Sequence, residues 1–209
     1  MVNAAGPTLM LTPFGALQAF AQKEPDPTSA QLQTLMAADR APHARDWAET
    51  ADRAELLREA LDRSLVQEVE RELQAPDVKL DSFLPHVIAG LSGERLAALA
   101  SEEGFCIGRT GYAADEADTL CAAAADYSEF AARQRRRGWL GASRFVSFHE
   151  DAALLLPVTS FVPFWVDGAG YLLVLGGEPL LNNTALVELI WGIKTSASRF
   201  CGLPEASIR

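Results

Sequence analysis

Glu103 to Leu120 reads EGFCIGRTGYAADEADTL. Gly104 closes an acidic turn, Phe105-Cys106-Ile107-Gly108 is a short apolar strand, GRTGY is a second turn, and Asp115, Glu116 and Asp118 open a helix. Just upstream, ERLAALA (94–100) has helical propensity, yet the turn Ser101-Glu102-Glu103-Gly104 follows at once and a second apolar run lies beyond. Two short apolar runs joined by a turn ending in Gly predict a hairpin, so 94–100 is expected as a strand against its local preference. A turn, strand, turn and helix in this order can also cradle a phosphate. Neither GxGxxG nor GxxxxGK[ST] is present. The carboxylates in the first turn of the next helix would repel an anion rather than hold one. The glycines are therefore read as turn geometry.

Downstream, Ala117, Leu120, Cys121, Ala124, Tyr127, Ser128 and Ala131 fall on one helical face. Arg133, Arg135, Arg136 and Arg137 crowd the end of that helix, where cations suit the dipole, and Gly138 stops it. Strands are expected at SRFVSFH (143–149), AALLLPVT (152–159), 161–166 and YLLVL (171–175), with Pro157 marking a bulge or edge. Asp167-Gly168-Ala169-Gly170 is a turn. Asn182 or Asn183 caps a last helix over 184–200, with Leu186, Leu189, Ile190, Ile193 and Ala197 inward, and Gly202 and Pro204 close it.

Upstream, residues 1–78 read as helical and polar. Thr12-Pro13 starts a helix, EPDPTS (24–29) is a linker ending in cap residues, and 29–40 is a short second helix that Pro42 breaks. From Asp46 to Gln74, Trp47, Ala51, Ala54, Leu57, Leu61, Leu65, Val69 and Leu73 recur three or four apart, which predicts one long helix. Leu80 to Ile88 is another short helix, and Gly90-Leu91-Ser92-Gly93 breaks it.

The totals narrow the function. At 209 residues with 49% hydrophobic, the chain can bury a core; a net charge of −10 disfavours nucleic acid and anionic membrane surfaces, which need clustered cations. The apolar runs are too short to span a bilayer. Cys106, Cys121 and Cys201 have no metal-ligand spacing and read as small buried hydrophobes of a reducing compartment, so a cytoplasmic protein is expected.

From residue 79 the expected order is helix, strand, strand, helix, strand, strand, strand, helix. On GLSGERLAALASEEGFCIGRTGYAADEADTLCAAAADYSEFA (90–131), AALLLPVTSFVPFWVDGAGYLLVLGGEP (152–179) and the closing helix, the chain resembles the roadblock / dynein light chain family. The resemblance implies an α+β fold, a five-stranded antiparallel sheet flanked by helices over 79–202. Residues 1–78 would be a helical extension and 203–209 a tail. It also implies a non-enzymatic regulatory module, a homodimer that binds a small Ras-like GTPase; gliding-polarity members act as GTPase-activating dimers. Self-association would fall to Ala117, Leu120, Cys121, Ala124, Tyr127 and Ser128. The partner would meet Arg133, Arg135, Arg136 and Arg137. The front 78 residues and the long aromatic stretch 161–170 depart from the family's minimal domain.

Two other readings stay open. One is a scaffold of the same fold that acts through residues 1–78, as an arm clasping the domain or another protein. The other is a sensor of the GAF or PAS kind, with Phe161, Pro163, Phe164 and Trp165 lining a pocket. Catalytic signatures are lacking. GxSxG and HExxH do not occur. His43, His86 and His149 are the only histidines, and His149 beside Glu150 and Asp151 cannot converge with them on a metal from one strand. Neither a cofactor nor a metal is expected.

Overall fold

The computed structural model describes residues 6–77, 79–139, 145–150 and 156–200. In chain order the front segment forms β1 (Thr8–Leu11), α1 (Pro13–Ala19), α2 (Pro27–Gln33), α3 (Ala44–Trp47), α4 (Ala51–Asp62) and β2 (Val66–Val69). Then follow α5 (Leu80–Ala89), β3 (Ala97–Ser101), β4 (Cys106–Thr110), α6 (Ala114–Arg136), β5 (Val146–Phe148), β6 (Thr159–Val166), β7 (Ala169–Gly176) and α7 (Thr184–Phe200). From α5 onward this is the order α-β-β-α-β-β-β-α.

The hairpin forms as its turn dictates. Gly104 takes φ +90°, a left-handed value that a side chain would strain. β3 and β4 pair antiparallel with a bulge: Leu99 faces Gly108 while Ala100 faces Cys106, so Ile107 is the extra residue. β7 pairs with the other side of β3. β6 joins β7 through Asp167-Gly168, at φ 50° and 81°, the two left-handed residues of a tight hairpin turn whose twist matches the strands. The five-stranded antiparallel sheet has the order β4-β3-β7-β6-β5. It is the sheet flanked by helices that the resemblance implies.

Strand alternation splits the core between the two faces. Leu99, Leu173, Leu175, Val162, Phe164 and Val166 pack with α5, α7 and the front segment. Ala98, Ala100, Leu172, Val174 and Phe161 pack with α6. The small side chains on β3 and α6 let that helix sit close. Ser92 is buried and ties the start of β3 to the end of β7: its hydroxyl donates to the Gly176 carbonyl at 2.6 Å and accepts from the Leu96 N–H at 3.0 Å.

The front segment differs from its sequence reading. The long helix expected over 46–74 is a short α3, a break capped by Thr50, the helix α4, and then strand β2 paired antiparallel with β1. Ser64 at φ 56° turns the chain. Leu61, Leu65, Val69 and Leu73 are spaced by four, which fits one face of a helix and also one face of a strand, since every fourth residue of a period-2 pattern points the same way. Capping at α1 follows the reading: Thr12 accepts the Gly15 N–H at 3.0 Å. The second helix begins earlier than expected, with Asp26 as its cap.

This segment clasps the sheet. Phe20 is fully buried, and its carbonyl accepts the Trp165 N–H at 3.0 Å, on the edge of β6 that β5 leaves uncovered. The Trp191 indole donates to the Ala38 carbonyl at 2.9 Å. Of the strand expected at 152–159, residues 152–155 lie outside the described residues; Leu156–Val158 lead into β6, and Val158 already donates to the Phe148 carbonyl at 2.9 Å and accepts from the Gly177 N–H at 3.0 Å. Ser143, Arg144, Cys201, Gly202 and Pro204 also lie outside them, as do the side chain of Ala197 and the tail.

Candidate protein-docking face

Helix α6 is long because its ends are well made. Asp115 and Glu116 sit in its first turn and Arg133, Arg135 and Arg136 in its last, both favourable to the helix dipole. Its C-terminus closes with a Schellman motif. Gly138, at φ 87°, donates to the Arg135 carbonyl at 2.9 Å, and the Trp139 N–H donates to the Gln134 carbonyl at 3.0 Å. The motif folds Trp139 back along the helix, where it meets Phe130 edge-on at 6.4 Å.

From there aromatic rings run inward. Phe130 neighbours Tyr127 at 6.2 Å, Tyr127 meets Phe148 of β5 edge-on at 6.4 Å, and Phe148 meets the buried Phe161 at 5.1 Å. The outer members are open to solvent: Phe130 is 39% exposed, Phe148 42% and Trp139 55%. β5 is an edge strand; among the described residues it pairs with β6 alone. A cluster of exposed aromatic rings beside an open strand edge is the chemistry of a protein contact, since aromatic side chains bury large area with few frozen torsions.

The helical stripe singled out in the sequence divides. Ala117, Cys121 and Ala124 are wholly buried against the chain's own sheet, so their side chains are core and not available to a copy. Leu120, Tyr127 and Ser128 are half-buried at its margin. The face α6 turns to solvent carries Ala122, Ala123, Asp126, Glu129, Phe130 and Arg133. Phe130, Trp139 and Phe148 were not singled out by sequence. The available signal was a large aromatic lying off the apolar stripe and another just past the terminating glycine.

The arginines also divide. Arg133 pairs with Glu129 at 3.1 Å and Arg137 bonds Gln134. Arg135 turns to a cleft on the other flank of α6, and Arg136 and Arg137 are exposed. They do not converge on one point.

That cleft, about 540 Å³, lies between α6 and the sheet, with Tyr127, Ser128, Phe161, Pro163, Trp165 and Leu172 among its walls. Three of the residues considered for a sensor pocket, Phe161, Pro163 and Trp165, line it. Phe164 points to the opposite face, where it is buried and stacks on Tyr171 at 5.4 Å. At the mouth, Lys23 and Glu102 form an ion pair at 3.1 Å. The Ser101 hydroxyl holds the exposed Glu103 carboxyl below its usual range. The titratable groups on its walls are Lys23, Glu102, Glu103, Tyr127, Glu129 and Arg135, and none of the three histidines lines it. His149 lies elsewhere, its Nδ1 at 3.2 Å from the Leu156 carbonyl. No group of three His, Cys, Asp or Glu side chains is placed to hold a metal ion among the described residues. No helix among them is long and apolar enough to cross a membrane.

The chain is similar in structure to two solved bacterial proteins. It matches a roadblock/LC7 domain from Streptomyces avermitilis at 20% identity and a TM-score of 0.34, over 59% of this chain and 98% of that one. It matches MglB of Myxococcus xanthus at 14% identity and a TM-score of 0.36, over 65% of this chain and 100% of that one. No protein-family model and no curated protein matches the chain. The chain's own strand order, β4-β3-β7-β6-β5, and its element sequence from α5 onward define the fold.

Proposed function

We propose that this protein is a non-enzymatic regulatory module that pairs with a second copy of itself and binds a small Ras-like GTPase in the cytoplasm. The observation that carries the pairing is the aromatic patch of Phe130, Trp139 and Phe148 beside the open edge of β5. A copy placed there covers three exposed rings and extends the sheet by one edge-to-edge strand pair. The self-association face is therefore drawn on the solvent side of α6 and at its margin residues Leu120, Tyr127 and Ser128, while Ala117, Cys121 and Ala124 hold the helix from behind. The GTPase comes from the family resemblance read in the sequence, as does an effect on GTP hydrolysis. Arg133, Arg136 and Arg137 sit at the end of the same helix, where a partner seated on a paired α6 would meet them. Residues 79–202 form the roadblock-like unit in this reading, and residues 1–78 are its clasp.

Two measurements test it. Light scattering behind a sizing column gives the mass of the native chain; a dimer is expected, with Phe130→Glu and Trp139→Glu running as folded monomers. A monomeric wild type ends the pairing reading. Capture from a lysate of the source organism, with a non-hydrolysable GTP analogue or with GDP, should enrich a Ras-like GTPase in one nucleotide state. Equal absence from both ends the GTPase reading.

A further inference from the structure

The bulge in β4 places Cys106 opposite Ala100, on the face of the sheet that α6 covers. Cys121 is wholly buried on the facing side of that helix. The hairpin presses hard on the helix at this point: a Cβ at Gly104 would lie 3.1 Å from the Ala125 Cβ and 3.3 Å from the Cys121 carbonyl. Ala98, Ala100, Ala117 and Ala124 around them keep the layers close. Cys106 packs against the same buried cluster that contains Cys121. Cys106 is half-buried, with its thiol 3.6 Å from the Gly108 carbonyl, and both cysteines are free. Cys106 is therefore the more exposed member of the pair.

We propose that Cys106 and Cys121 are a redox-modifiable pair, which a low-molecular-weight disulfide converts to an intramolecular disulfide stapling the β3–β4 hairpin to α6. The Cys106 thiolate attacks one sulfur of the oxidant and expels the first thiolate, leaving a mixed disulfide on Cys106. The Cys121 sulfur then attacks Cys106 Sγ and expels the second. Two electrons pass from the protein to the oxidant, and the two thiol protons leave with the two reduced thiols. The order of attack follows from access. Burial pushes the Cys121 thiol up to about 12, so it supplies little thiolate at neutral pH. Its advantage is position, in the buried cluster against which Cys106 packs. The mixed disulfide should therefore build up first and resolve faster as pH rises. In a reducing cytoplasm the pair stays open, and oxidation closes it. This inference does not rest on the pairing or GTPase reading.

The experiment treats the reduced full-length chain with oxidised glutathione, quenches in N-ethylmaleimide, and reads intact mass and linked peptides. The expected product is monomeric in covalent mass, lighter by about 2 Da for the two thiol hydrogens, and carries a Cys106–Cys121 linked peptide. Cys201→Ser should give the same product, and Cys121→Ala should stop at the Cys106–glutathione adduct. Three outcomes overturn the proposal: a wild-type chain that ends at that adduct with Cys121 still alkylated once unfolded, a link to Cys201 or between chains, or no reaction at Cys106.

Discussion

Gly15 occupies a helix position where alanine is intrinsically better by about 1 kcal/mol, and the structure shows why glycine is there. A Cβ would stand 1.9 Å from the Leu65 carbonyl oxygen and 2.7 Å from its carbon, both backbone atoms that cannot swing aside. The same turn is bound by Thr12, whose N–H donates to the Leu65 carbonyl at 2.9 Å and whose hydroxyl donates to Ser64 at 2.6 Å. Gly15→Ala is therefore expected to lower stability in a urea melt, by roughly 1–3 kcal/mol as for overpacked cores; a gain would mean that α1 does not lie against this turn. Single residues also set the alkaline limit. Burial raises the Cys121 thiol from 9.0 to about 12, and it raises the Tyr112 and Tyr171 hydroxyls as well. The folded chain holds these protons more tightly than the unfolded chain. Their contribution is full below pH 9.0 and is lost as pH climbs toward about 12. Cys121→Ala should flatten the fall of the melting temperature over that window; an unchanged slope would show that this thiol is not shielded.

At the scale of elements, the cap of α6 makes the link from sequence to candidate face. Gly138 sits at φ 87°, and an alanine there costs about 1 kcal/mol in left-handed strain. Gly138→Ala should thus reduce stability slightly while disproportionately weakening self-association, because Trp139 is no longer folded back on Phe130. Sedimentation at several concentrations separates the two effects. Equal self-association in the variant would remove Trp139 from the contact. This helix also shows what sequence can and cannot tell. Its span, its acidic start and its glycine stop were legible because they are local. So were the hairpin turn at Gly104, the Asp167-Gly168 turn and the Thr12 cap. Its outward face was not. The regular stripe of Ala117, Cys121 and Ala124 is regular because it packs on the chain's own sheet, and periodicity always reports that contact first. The outer contact lies in residues that break the pattern, Phe130 and Trp139. The strand β2 was hidden for a related reason: Leu65, Val69 and Leu73 at spacing four satisfy a helix and a strand alike, and only the partner strand Thr8–Leu11, 58 residues away from Val66 at its Thr8 end by sequence number, decides between them.

The whole molecule poses the question of what residues 6–77 are for. They do not hang from the sheet as an arm. Phe20, Leu32, Leu35, Met36 and Trp47 belong to the same buried cluster as Phe164, Val166, Ile190 and Trp191. The Phe20 carbonyl covers the β6 edge at Trp165, and Pro163, which has no N–H to offer, sits two residues earlier. Together these close the part of the β6 edge that β5 does not reach, leaving β5, among the described residues, as the open edge on that side of the sheet. The clasp thereby directs any strand-to-strand contact toward the aromatic patch. A shared core also means shared melting, because neither part can release its apolar surface without uncovering the other's. Tryptophans report both parts, with Trp47 in the front segment and Trp165 and Trp191 in the sheet and α7. Variants that each keep one of these residues, the others replaced by Phe, should unfold at one denaturant midpoint, coincident with the loss of helical circular dichroism. Phe20→Ala should move all the midpoints down together, for a stability loss of roughly 3–5 kcal/mol typical of a buried Phe. If Trp47 reported an earlier transition of its own, the front segment would be a separate unit resting on the sheet, and the closed β6 edge would be open for part of the time.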